Sequence, residues 1–365
     1  MRASARRDRK GKARVSVILR ALGCIALLPL AFAACAPGYQ RHQAHVMGPF
    51  DTITVMLGYA ESERSFNRYR DIVFDRLEAL HRMYDIFSAH HGINNIHTIN
   101  ANAGIRPVEV SREIIDLLLA AREAYSITGG RTNPAMGSVL RIWHDYRMRG
   151  LADPGNAALP SMEALREASG RMSMADVVID EENLTVFLAG KGMSLDVGSI
   201  AKGYAAGLAM AAAREAGLRA ALLSVGGHIV AVGAPPGREH WNVAVQNPEA
   251  GMEGAPVTVD TIALTNATIS ISGAYQRFYE VAGQIFGHVI DPETLMPATL
   301  HKQVAVIHPQ SWMADALSTA LFILPRGEGE ALAAKTGAEA FWIDIDGNWF
   351  ATPGYSRLSS VFEQD

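Results

Sequence analysis

Five short stretches carry residue types whose spacing suits chemistry. The first is Leu195-Asp-Val-Gly-Ser-Ile-Ala-Lys-Gly-Tyr204, in which an acid and a glycine turn precede a lysine and an alanine-rich segment. A nucleoside-triphosphate loop needs Gly-x-x-x-x-Gly-Lys-Ser/Thr; here Gly198 stands four before Lys202 and Gly203 follows it. What remains is a helix N-terminus with unpaired N–H groups, permissive backbone and one cation, which together suit an anion such as a pyrophosphate. Asp196 would repel that anion unless it reads another group or a metal ion intervenes; the other reading is a capping acid beside a solvated lysine. The second stretch sets Asp315 and Thr319 four apart, hence on one face of a helix. Carboxylate and hydroxyl are hard oxygen ligands of the kind Mg²⁺ takes, although a mid-helix threonine also bonds back to its own preceding turn.

The third stretch, His288-x-x-Asp291-Pro292, follows a hairpin pattern turning at Ala282-Gly283. A histidine and an acid at a strand end can act as base and orienter, or form an ordinary Asp-Pro turn. The fourth sets Gly226 and Gly227 inside an apolar strand spanning 220–232, where glycine marks the close approach of a ligand or another backbone. The fifth, Thr132-Asn-Pro134, is a turn running into a helix that bears Trp143. Beyond the N-terminal leader there is no HExxH, paired CxxC, GxSxG or GxGxxG, so metalloprotease, structural zinc, α/β-hydrolase and dinucleotide-fold chemistry lack their signatures.

The elements that must position these residues follow from periodicity. Alternation from Asp51 to Leu57 predicts a strand. Apolar residues at helical spacing from Ser62 to Phe87 predict a long amphipathic helix, and Ser111 is expected to cap another. Further helices are expected from about Ile200 to Ala216, Met313 to Ile323 and 328–336. Strands are expected at 275–281, 285–290, 303–308, 339–345 and 348–351, and a soft boundary at 150–172. Strands and helices mix without strict alternation, which predicts an α+β fold rather than a doubly wound sheet.

The first twenty residues hold eight Lys or Arg and one acid, followed by an apolar run from Ala21 to Ala34. That is the charged and hydrophobic pattern of an export signal, and the run is shorter than the roughly 20 apolar residues of a membrane span. It ends in Phe32-Ala-Ala-Cys35, similar to a bacterial lipobox, so residues 1–34 read as a leader and Cys35 as a lipidated anchor. Of two cysteines only Cys35 would survive cleavage, which leaves no structural disulfide. Loss of the leader would make a chain of net charge −4 still more acidic, which argues against nucleic-acid binding. Residues 35–44 read as a tether and 356–365 as a C-terminal tail.

Taken in order, Met47-Gly-Pro-Phe-Asp-Thr-Ile, Ser88…Asn100, Asn133-Pro…Gly137…Trp143, Asp196-Val-Gly-Ser-Ile-Ala-Lys-Gly-Tyr204, Val225-Gly-Gly-His-Ile229, Ser272-Gly…Tyr275, His288-Val-Ile-Asp-Pro292 and Asp315-Ala-Leu-Ser-Thr319 resemble the ApbE family of flavin transferases. The resemblance implies a two-part α+β domain over about 45–355, with FAD in the cleft between the parts. It implies an FAD:protein FMN transferase that splits FAD at its pyrophosphate, joins FMN to a Thr or Ser hydroxyl of an exported redox partner, and releases AMP. It further implies Mg²⁺ on Asp315, Thr319 and the Ser199 carbonyl. FAD contacts are implied at Met47, His90, Thr132, Asn133, Pro134, Asp196, Lys202 and Val289, with His288 as candidate general base. Thr132, Asn133, Ala274 and His90 depart from common family residues, which touches FAD contact more than the reaction. An FAD pyrophosphatase and a non-catalytic flavin-carrying lipoprotein are the alternative readings.

Overall fold

The computed structural model describes residues 38–362, save 253 and 276. The leader and Cys35 lie outside the described residues. The chain runs through β1 (Gln40–Met47), β2 (Ile53–Ala60), α1 (Glu63–Tyr84), α2 (Ile96–Ala101), β3 (Val108–Glu109), α3 (Arg112–Ile127), α4 (Gly137–Ala152) and α5 (Met162–Ser169). It continues with β4 (Val177–Asp180), β5 (Thr185–Leu188), α6 (Ala201–Glu215), β6 (Ala220–Val225), β7 (His228–Val232), β8 (Trp241–Gln246), β9 (Thr258–Leu264), β10 (Thr268–Gly273), β11 (Phe278–Val281) and β12 (Gln284–Gly287). Last come β13 (His301–His308), α7 (Ser311–Ile323), α8 (Arg326–Thr336), β14 (Glu339–Asp344), β15 (Trp349–Ala351) and α9 (Pro353–Leu358).

Eight strands form one antiparallel sheet in the order β1-β2-β6-β7-β10-β13-β14-β15. Helices α1, α6 and α7 pack side by side against it. Phe66, Val73, Leu77, Leu80 and Tyr84 of α1 recur at three-, four- and seven-residue steps and are buried there, each contributing roughly 1.5–3 kcal/mol of apolar burial. A second apolar layer, with Trp241, Val243, Val245 and Ile262 of the β8–β9 hairpin and Tyr355 of α9, includes Ile269 and Phe341 of the sheet. Helix α6 buries small residues, Ala201, Gly203, Ala205, Ala206 and Ala209, so α7 comes unusually near. A Cβ on Gly203 would lie 2.6 Å from Asp315 Cβ and 2.7 Å from the Ser311 carbonyl oxygen.

Several local expectations change. The tether is strand from Gln40 onward, because β1 pairs with the whole of β2 and His42 stacks on Phe66. Helix α1 ends at Tyr84, since the Asp85 carboxylate accepts the Phe87 and Ser88 N–H groups and turns the chain out. Ser111 sits at the N-cap of α3 without capping it, and its hydroxyl turns instead to Met83 Sδ. Gly226 and Gly227 do not lie within a strand; both have positive φ and make the β6–β7 turn. No boundary falls at 150–172, where α5 lies, and residues from Tyr39 form a single compact unit. The tail is packed as far as Phe362, whose ring meets Phe341 and Tyr355.

Candidate functional site

The N-terminus of α6, the face of α7, one side of α4, the β6–β7 turn and the segment after β12 surround a cavity of about 900 Å³. Asp196, Ser199, Lys202, Thr132, Asn133, His288, Val289, Asp315 and Thr319 all line it. Residues 120 positions apart in sequence thus meet because α6 and α7 cross at glycine.

Asp315 is 3% exposed and its oxygens are held from two elements, α6 and β10. Oδ2 accepts the Gly203 N–H at 2.8 Å; Oδ1 accepts the Ser270 hydroxyl at 3.2 Å and faces Lys202 Nζ at 3.5 Å. Gly203 is the third residue of α6, and its N–H is one of those that the start of a helix leaves without an intrahelical acceptor. Asp315 satisfies that N–H, and Ser199, which precedes the helix, lines the cavity. Thr319, one turn beyond Asp315, also reaches the cavity. Carboxylate, hydroxyl and carbonyl oxygens are the donors a hard divalent cation takes. Among the described residues, no three His, Cys, Asp or Glu side chains are grouped to hold a metal. A cation here would therefore use one carboxylate and draw its remaining oxygens from backbone, hydroxyl, water and substrate.

Part of the lining is cationic. Arg141, His144 and Arg147 lie three apart on α4, and Arg277 precedes β11; all four line the cavity. Among the described residues none of these arginines forms an ion pair with a carboxylate, whereas Arg131 pairs with Asp291 and Glu293. Arg147 instead donates to His144 Nδ1 at 3.2 Å. Burial and the Arg147 charge lower the His144 pKa. Burial against the wall raises the Asp196 carboxyl above the usual range, opposed by the Gly198 N–H and by the charges of His144, Lys202 and Arg277. His288 is pulled down to about 4 by burial and by Arg277, Arg147 and Lys202. Its Nδ1 lies 3.2 Å from the Arg277 carbonyl, which can only accept; the ring proton is therefore on Nδ1, and Nε2 carries a free lone pair.

Three expected FAD contacts do not line this cavity. Met47, at the end of edge strand β1, is 76% exposed; the turn after it brings Phe50, Asp51 and Thr52 to the wall instead. That turn holds Phe50 at φ 58° and Asp51 at φ 52°, a conformation uncommon for non-glycine residues and concentrated at functional sites. His90 stands behind the wall and contacts Asp85 at 2.9 Å, leaving Asp85 to line the cavity. The Pro134 carbonyl accepts the Asp196 N–H at 2.8 Å, so this residue positions the acid. Thr132 and Asn133 line the wall with their side chains engaged, one with Thr128 and the other with Ala135 and Met172. Asp291 does not orient His288: it caps its own turn and pairs with Arg131. The motif reading passed over Arg141, Arg147 and Arg277. The first two carried a signal, since Arg141-x-x-His144-x-x-Arg147 puts three basic groups on one helix face; Arg277 had none.

The sequence profile of the ApbE family matches residues 47–342. The FAD:protein FMN transferase of Treponema pallidum (strain Nichols) is 34% identical over 284 residues, covering 74% of this chain and 76% of that protein. Among solved structures, the ApbE protein of Thermotoga maritima superposes with a TM-score of 0.76 at 24% identity, over 89% of this chain and all of that one. The apo flavinyl transferase ApbE of Pseudomonas stutzeri gives 0.72 at 22% identity, over 90% and 98%. At these identities the two structures speak for the fold.

Proposed function

The chain belongs to the ApbE family, and from that premise we propose that it is an FAD:protein FMN transferase acting on a Thr or Ser hydroxyl of an exported flavoprotein. In the proposed step the acceptor oxygen attacks the phosphorus of the FMN half of FAD. The bond from that phosphorus to the bridging oxygen breaks, AMP leaves with the bridging oxygen, and the hydroxyl proton passes to a base. The observation that carries the reading is the pairing of one buried, cavity-facing carboxylate with a cationic wall in the same cavity.

Asp315, Thr319 and the Ser199 carbonyl are the residues that would hold Mg²⁺, which when bound acts as a Lewis acid on the pyrophosphate. The rest falls to side chains and backbone. Lys202, 3.5 Å from Asp315, supplies a fixed positive charge where pyrophosphate oxygens would lie. Phosphoryl transfer asks mainly for positioning and charge neutralisation, and Arg141, Arg147 and Arg277 offer for it cations without a carboxylate partner among the described residues. His288, with Nε2 free, is the candidate acceptor for the hydroxyl proton. On sequence grounds we place the enzyme outside the cytoplasm, anchored to a membrane through lipid on Cys35, with a subunit of a membrane redox complex as acceptor.

The test incubates the protein from Tyr39 onward with FAD, Mg²⁺ and a candidate exported acceptor. Covalent flavin fluorescence on the acceptor together with AMP supports transfer. FMN and AMP free in solution, with no labelled acceptor, would replace it with hydrolysis, and unchanged FAD would make the protein a carrier.

A further inference from the structure

We propose that His228 and Ser311 form a latch that fixes the crossing of α6 on α7 and keeps the Asp315 carboxylate available to a cation. This rests on the cation reading of the site given above. His228 is the first residue of β7, just after the Gly226-Gly227 turn, and its side chain is fully buried. Its Nε2 lies 2.8 Å from Ser311 Oγ, and Ser311 Oγ lies 2.6 Å from the Gly203 carbonyl. A carbonyl can only accept, so the Ser311 hydroxyl donates its one proton to Gly203. The hydroxyl must then accept from the ring, which places the imidazole proton on Nε2.

Two consequences follow. The same α6 residue is gripped twice by α7, through its carbonyl by Ser311 and through its N–H by Asp315 Oδ2. That grip satisfies an N–H that the start of a helix leaves without an intrahelical acceptor and ties the N-terminus of α6 to α7. In addition, His228 Nδ1 faces Asp315 Oδ1 at 3.9 Å and has no hydrogen-bond partner among the described residues. With the proton held on Nε2 by Ser311, this nitrogen is bare and cannot donate to the carboxylate. In the other tautomer an Nδ1–H would point at Asp315 and compete with a cation for Oδ1. His228 is thus a positioning residue that acts through Asp315 and Gly203 without touching substrate.

The experiment measures Mn²⁺ binding to the protein without FAD by electron paramagnetic resonance, and amide hydrogen exchange at Gly203 in the metal-free protein. Ser311→Ala and His228→Leu are expected to weaken Mn²⁺ about tenfold or more, the usual range for partners that orient metal ligands, and to speed Gly203 exchange. His228→Gln, whose side-chain N–H can replace Nε2–H, is expected to stay near wild type in both. If wild type fails to bind Mn²⁺ while Asp315→Ala behaves identically, the cation reading falls, and Gly203 exchange alone then decides whether the latch exists. If wild type binds Mn²⁺ and Ser311→Ala matches it in affinity and exchange, the latch is overturned. A Gln variant as impaired as the Leu variant overturns it equally, because ring volume rather than donation would then be at work.

Discussion

At the scale of single residues, the site depends on two groups held in defined states by their neighbours. Asp315 is buried yet receives the Gly203 N–H, the Ser270 hydroxyl and the Lys202 ammonium, which together offset the cost of an enclosed charge. Asp315→Asn preserves shape and removes charge. It should lower the rate of covalent flavin transfer by at least about a hundredfold, in line with the loss of one preorganised electrostatic group. A variant retaining full activity at saturating Mg²⁺ would remove Asp315 from the site's chemistry. His288, lowered to about 4 by burial and adjacent cations, is neutral at physiological pH and becomes protonated only as pH falls through that value. If it serves as base, kcat/KM for FAD should be level between pH 8 and 6, with an acid limb near pH 4 that His288→Gln abolishes. An acid limb near the ordinary histidine value would assign the proton to another group.

At the scale of elements, the contact between α6 and α7 decides whether a site exists. Asp196, Ser199 and Lys202 stand at one helix terminus; Asp315 and Thr319 stand on another helix more than 100 residues later. They share a cavity because Gly203 and Gly207 let Ser311 approach: a Cβ on Gly207 would lie 3.0 Å from Ser311 Cβ. Gly203→Ala should force the helices apart, costing about 1–3 kcal/mol as overpacking does. A urea midpoint lowered together with loss of transfer is the expected outcome, and an unchanged midpoint would show that the crossing tolerates a methyl group. Helix periodicity located both helices in the sequence closely. Their mutual approach was not legible, since it depends on which small residues face each other across an interface.

At the scale of the whole molecule, the chain from Tyr39 is one compact unit, and the first and last of its described segments are built in. Strand β1 extends the eight-stranded sheet through pairing from Gln40 to Met47, and Phe362 closes the far apolar layer against Phe341 and Tyr355. A fragment beginning at Tyr39 should therefore keep the stability of the longer chain. One beginning at Gly48 exposes the edge of β2 and uncovers Phe66, and should melt several degrees lower and aggregate more readily. Equal melting temperatures would restore the segment 40–47 to the role of a tether.

The sequence by itself determined the class of fold, most element positions and the family, because periodicity and ordered motifs are local and survive as patterns along the chain. It also named the acid, lysine, histidine and hydroxyl that line the cavity. Only the tertiary structure decided that Met47 and His90 are not among the residues lining that cavity, that Asp291 serves its own turn, and that Arg277 joins two α4 arginines in the cavity that Asp315 also lines. The physical reason is the same in each case. Side-chain direction at a strand end or in a loop, and the proximity of residues far apart in sequence, are fixed by packing between elements, which spacing along the chain does not record.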